Sequence, residues 1–557
     1  MRDEELRRQA EAAGVATGYH DGLGQWHEVS VDTLRTVLEA VGPPPSPSPG
    51  PSAAARCRLP PDLEAGGRAW GWAVQLYALR SETSWGIGDL GDLASLLRAS
   101  DPPGFVLLNP LHARTPGDPS PYAPSSRRFR DPLYIRVEAV PELAALSPDA
   151  RAEVSALAKA GRDLNRAAVI DRAAVWGLKH DALWRCYQAL ARAGSGLAGR
   201  RDAFAAWRAR TEGVEEFAAF SAAGRHDPGY QAWLQWVLEE QLRALPWPPG
   251  SIGVINDLAI GFSPDGFDAH SMREVLAEGV TIGAPPDLLA PQGQNWGLSA
   301  WAPGRLAAAG YEPFASTLRA SLEGAGGLRV DHVMGLFRLF LIPSGAPPAE
   351  GTYVRCPAEE LLGILAAESA RADALVVGED LGTVEPGVRE RLAAARVLSY
   401  RLAWFEREPP AEWPRLALAA VTTHDLPTIA GRFAAGDAVE PDADAEGRAK
   451  AALLDRLEGE GVLAPGERAV GQIADALHGL LARTPCMLVA ASLDDAVLAV
   501  ERPNLPGTTG AQRPNWSRPL PLQLEDLLAD PRVRALAGRL SEAVRRRPNE
   551  EPAEQGI

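Results

Sequence analysis

Apolar and polar residues fall into blocks along this chain. From about residue 70 onward, short and nearly unbroken apolar runs recur between longer stretches with helical spacing. The runs are WAVQLYAL (72–79), GFVLLNPL (104–111), IGVINDLAIGF (252–262), GGLRVDHV (326–333), ALVVGEDL (374–381), VLSYRLAW (397–404), LALAAVTTHDL (416–426) and CMLVAASL (486–493). Runs of this length, bounded by turn residues and alternating with helical patterns, predict strands of a parallel sheet. Eight of them predict an α/β fold closed as a (β/α)8 barrel, the TIM barrel. Residues 141–245, rich in Ala, Arg and Trp, separate the second run from the third and predict a helical insertion on the C-terminal rim.

The remainder divides by composition. Residues 1–42 predict two short helices around GYHDGLGQWHE, a short N-terminal helical segment. Residues 43–69 contain PPPSPSPGPSAAA, which reads as a linker because Pro and Gly deny it regular structure. The barrel is expected over 70–530, with a C-terminal helix and tail over 531–557. The length of 557 residues fits one large barrel with insertions.

Charge and cysteine usage narrow the function classes. Lys and Arg total 56 and Asp and Glu 72, a net charge of −16. That balance argues against nucleic acid and anionic membrane surfaces as partners. Four scattered cysteines, with no CxxC pair, argue against a zinc ribbon or a disulfide framework and fit a reducing compartment. No apolar stretch resembles a leader or a membrane span, so a cytoplasmic location is expected.

The candidate chemistry sits where apolar runs end. WGIGDLG carries Gly86, Gly88 and Gly91 in dinucleotide-binding spacing after a strand. The second run, however, ends in Asn109-Pro110 and lacks the acid that would hold a ribose, so a tight turn is the simpler reading. Three other runs end in carboxylates: Asp331 behind Arg329, Glu379 behind two valines and a glycine, and Asp425 behind His424. Residues two apart on a strand share a face, so Arg329 and Asp331 are expected to point inward together. Each acid alone could be a structural ion pair or a cap. Three converging on the C-terminal rim of one barrel suggest a use for the negative charge. Glycoside cleavage needs one ionised carboxyl and one protonated carboxyl. Asp331 beside a guanidinium suits the first role, and Glu379 in apolar surroundings suits the second. A metal held by Asp331-His332 and His424-Asp425 is the rival reading. The first strand, though, lacks the His-x-His pair of barrel metallohydrolases.

The blocks LRVDH, VVGEDLGTV and VTTHDLPT, with SWGIGDLGDL, SPYAPSSRRFRDPLYI, GAPPDLLAPQGQNWGL and NLPGTTGAQRPNW, resemble the amylomaltases, 4-α-glucanotransferases of glycoside hydrolase family 77. The similarity spans about 70–521, and its details look most like the bacterial maltose-utilisation branch. The resemblance implies Asp331 as nucleophile, Glu379 as acid/base and Asp425 as transition-state stabiliser. It implies sugar or nucleophile contacts for Arg329, His332, His424, Asp89, Tyr122, Asp287, Asn295 and Trp296, the last on a loop over the cleft. It further implies maltooligosaccharides and α-1,4-glucans as substrates, with no metal or other cofactor. One departure is plain: that branch carries a β-rich module between its N-terminal helices and the barrel, where this chain has only the Pro/Ser tract.

Overall fold

The computed structural model describes residues 3–44, 55–99, 101–192, 196–224, 227–287, 290–434, 443–508, 510 and 512–545. Among them, eight parallel strands close a barrel in chain order: Ala69–Val74, Phe105–Leu108, Gly253–Leu258, Gly327–Val330, Leu375–Gly378, Leu398–Leu402, Ala417–Ala420 and Leu488–Ser492. The eighth pairs with the first, so no edge is left open. Seven lie inside the predicted runs; the first begins at Ala69, three residues before its run. The runs extend past the strands at their C-terminal ends, where apolar residues continue into the rim; Leu76–Ala78, for example, is a 3₁₀ turn.

Strand alternation sorts the side chains. Phe105, Leu107, Ile255, Leu375, Val377, Leu398, Tyr400, Leu418 and Leu488 fill the barrel interior. Leu328, Val330 and Val376 point outward against the helices Glu312–Leu322 and Ala358–Ala372. Continuing the same period by one step places Asp257, Arg329, Asp331 and Glu379 at the C-terminal mouth of the interior.

Segments outside the barrel build the rim. Between the second and third strands lie the hairpin His112–Arg114/Pro124–Arg130 and the insertion, with helices Pro148–Asp163, Arg172–Ala191, Ala198–Arg210, Val214–Ala222 and Pro228–Arg243. A four-stranded antiparallel sheet was not foreseen. It joins Thr352–Arg355, Arg338–Pro343, Val280–Ala284 and Gln294–Leu298 in that order, drawing on the loops after the third and fourth barrel strands. The N-terminal helices Asp3–Ala12 and Val31–Val41 lie on this sheet, where Leu34, Val37 and Val41 share a core with Ile282, Phe340 and Ile342. Between those helices GYH and WHE pair as a short antiparallel hairpin.

One expectation needs correction. The stretch 43–69 is not unpacked throughout: its Pro/Ser part, 45–54, lies outside the described residues, but from residue 55 onward the chain is packed. The Cys57 N–H donates to the Ala395 carbonyl, and Leu59 and Leu63 join the barrel interior. The glycine-rich WGIGDLG is the tight packing turn expected of it: a Cβ at Gly88 would stand 2.1 Å from the Leu76 carbonyl oxygen.

Candidate active site

The mouth of the barrel gathers charge from four strands. Arg329, at the end of the fourth, is buried between two carboxylates. Its Nη1 donates to both oxygens of Asp257 at 2.7 and 2.9 Å and to Oδ1 of Asp331 at 3.1 Å. Asp257, inward on the third strand, also accepts from the Tyr122 hydroxyl at 2.6 Å. The Tyr122 oxygen lies 3.3 Å from Nδ1 of His424, whose Nε2 is 3.5 Å from Oδ2 of Asp425. One connected set thus runs from Asp331 through Arg329, Asp257, Tyr122 and His424 to Asp425.

Glu379 follows the fifth strand and is held by main-chain donors. The N–H of His332 donates to its Oε2 at 2.9 Å, and the N–H of Leu381 to its Oε1 at 2.8 Å. His332 sits in the left-handed region, with φ 45°, which turns its N–H from the fourth strand toward Glu379. Burial, with the nearby Asp331 charge, overrides Arg329 and those two donors and raises the Glu379 carboxyl to about 7. The region is short of positive charge: Asp257, Asp331 and Glu379 share the Arg329 guanidinium, and a proton on Glu379 relieves the imbalance. Burial also keeps His332 below its ordinary value, so it is a neutral imidazole near pH 7.

Asp425 differs. Its side chain is 42% exposed. Burial raises its carboxyl, but His424 and Asn504 outweigh burial, so it lies below its usual value; Nδ2 of Asn504 donates to its Oδ1 at 2.7 Å. It is an anionic acceptor open to solvent and suited to sugar hydroxyls. Trp516 covers the back of this corner, 5.0 Å from the His424 ring and 5.3 Å from Tyr122.

Of the substrate-contact residues expected from the resemblance, Arg329, His332, His424 and Tyr122 join the carboxylates. Trp296 stands edge-on to His332 at 5.6 Å, on the edge strand Gln294–Leu298 rather than on a loop. Asn295 is exposed on the same strand and accepts from Thr281 and from the Gly297 N–H. Asp287 lies in the preceding loop, where it accepts from the Ala290 N–H at 2.6 Å. Asp89 is a correction: it is fully buried, N-caps the helix Leu90–Leu96, and is paired with Arg136 at 2.7 Å and Lys179 at 3.1 Å. Its oxygens are consumed inside the fold and do not reach the cleft.

Asp257, Asn504 and Trp516 were not singled out from the sequence. Asp257 had a readable signal, since the polar pair in VINDL interrupts a barrel strand near its end as Arg329 and Asp331 do. Asn504 and Trp516 are the two ends of NLPGTTGAQRPNW, a block that carried the resemblance but was assigned no residue roles.

A family model described as 4-alpha-glucanotransferase, glycoside hydrolase family 77, matches residues 74–244 and 223–524. The 4-alpha-glucanotransferase of Mycobacterium tuberculosis is 40% identical, across 87% of this chain and 76% of the relative. That of Haemophilus influenzae is 34% identical, across 83% and 76%. The crystal structure of amylomaltase from Corynebacterium glutamicum matches with a TM-score of 0.85 at 29% identity, covering 97% of this chain and 99% of that one. With a closed barrel and strand-end carboxylates joined through one arginine, the chain belongs to the 4-alpha-glucanotransferases of glycoside hydrolase family 77, the amylomaltases.

Proposed function

We propose that this 4-α-glucanotransferase moves α-1,4-glucan segments between maltooligosaccharides by a retaining double displacement on Asp331 and Glu379. The observation that carries the reading is the contrast between the two groups. Asp331 has a guanidinium partner, whereas Glu379, with a value near 7, still holds its proton in much of the population at neutral pH. In the first step an Asp331 oxygen attacks the anomeric carbon, the glycosidic bond breaks, and the leaving oxygen takes the Glu379 proton. The donor's non-reducing segment is then esterified to Asp331. In the second step Glu379, now a carboxylate, removes the proton from an acceptor 4-hydroxyl. That oxygen displaces Asp331 and remakes an α-1,4 bond. Asp425, with Asn504 and His424 beside it, accepts hydroxyl hydrogen bonds and holds the distorted ring. Trp296, over His332, shields the ester so that an acceptor sugar outcompetes water.

Maltotriose alone should yield glucose together with a ladder of longer oligomers. Products no longer than maltotriose would make the enzyme a hydrolase. Asp331→Asn should abolish both products while leaving the thermal transition intact, and turnover surviving in that variant would refute the assignment.

A further inference from the structure

The N-terminal hairpin has no part in the mechanism above, yet it exposes an aromatic ring. Trp26 is 57% exposed and its neighbour Leu23 51%. The ring rests on the opposite strand: a Cβ at Gly18 would stand 2.2 Å from Cζ2 and 2.7 Å from Cη2 of Trp26. Only glycine leaves that room. The His20 ring meets it at 4.9 Å and 62°. One face is therefore supported while the ring remains open to solvent, and exposed Gln25 and His20 flank it.

The platform is also rigid. Asp21 ties the hairpin tip, accepting from the N–H groups of Leu23 at 2.9 Å and Gln25 at 2.8 Å, with Nε2 of His27 at 2.7 Å. The tip is anchored to the substrate side of the molecule. The Gly22 N–H donates to the Pro286 carbonyl at 2.9 Å, and a Cβ at Gly22 would stand 2.6 Å from that of Asp287. Pro286 and Asp287 stand shortly before the strand Gln294–Leu298, which carries Trp296 to His332.

We infer that this hairpin is a second α-1,4-glucan-binding site, outside the catalytic cleft, with Trp26 as its stacking platform. The inference rests on the glucan activity proposed above. A glucose ring offers an apolar face for a supported indole and hydroxyls for the polar residues around it. A pre-ordered platform loses little freedom on binding. A chain held there raises the effective concentration of its free end at the cleft, so the gain belongs to long glucans and not to trisaccharides.

The test compares wild-type enzyme with Trp26→Ala and Trp26→Tyr, each as the full chain. Electrophoresis through native gels containing glycogen reads binding; transfer kinetics on maltotriose and on amylose read use of the site. W26A should lose most of its retardation by glycogen, and its KM for amylose should rise at least about fivefold, equivalent to about 1 kcal/mol. Its kcat and KM for maltotriose should stay at wild-type values, and W26Y should keep most of the retardation. Wild-type retardation in W26A overturns the inference, as does a parallel loss on both substrates. A changed sedimentation coefficient with unchanged retardation would assign Trp26 to contact between copies and overturn it too. Failure of the wild type to build a ladder from maltotriose would instead overturn the proposed function.

Discussion

At the scale of single residues, the site works by rationing positive charge. Arg329 serves Asp257 and Asp331 directly, and buried Glu379 retains a proton up to about pH 7. The proposed first step draws on that proton, so kcat/KM should fall as pH rises above about 7, approaching tenfold per unit. Burial is the larger cause of the raised value, and the Asp331 charge adds to it. Removing that charge in Asp331→Asn should therefore shift the Glu379 titration to lower pH, which infrared or carboxyl NMR titration can follow. An unmoved titration would deny the coupling. The three acids were legible in the sequence because a charge that ends a buried strand is costly without a partner or a use. Asp89 misled because helix capping and sugar binding ask for the same residue after a glycine turn. Only burial and its two cations separate those roles.

At the scale of elements, the barrel strands were readable because most are buried on both faces and so are written as apolar runs; Leu398–Leu402, which alternates buried with half-buried positions, is the exception. The outer sheet was not. Gln294–Leu298 alternates half-buried with exposed positions and offers too little contrast over five residues. Packing also explains how the glycine-rich turn after the first strand holds its place. Lys179, fully buried on the helix Arg172–Ala191, reaches Asp89 and donates to the carbonyls of Leu133 and Ile135 at 2.7 and 2.8 Å. That side chain, together with Asn165, which accepts from the Gly86 N–H and donates to the Ser81 and Ser84 carbonyls, fastens the insertion to the turn after the first strand. Lys179→Ala should cost about 3–5 kcal/mol, since it leaves Asp89 buried with one cation fewer. Urea unfolding would measure it; a loss below about 1 kcal/mol, the scale of a surface pair, would show the network to be dispensable.

At the scale of the whole molecule, the N-terminal helices, the outer sheet and the barrel rim form a layered wall beside the cleft. Leu34 is fully buried in that wall, against the sheet that holds Trp296. Leu34→Ala should destabilise by about 2–5 kcal/mol and should raise KM more than it lowers kcat. Thermal unfolding and steady-state transfer assays would check the two effects, and an unaltered KM would uncouple the wall from the cleft. The wall was illegible in the sequence because its partners lie hundreds of residues apart and only the fold brings them together.

The loop that brings Asn504 and Trp516 to the pocket has a consequence for how the protein comes to life. Its Trp516 carbonyl accepts from Arg172 of the insertion, and the Ser517 carbonyl accepts from the Ile170 N–H at 2.7 Å. On a ribosome the acids at 331 and 379 emerge long before residue 516 does. Until then the nascent chain lacks the aromatic backing of His424 and the amide beside Asp425, so the proposed reaction with sugar becomes possible only after residue 516 has emerged.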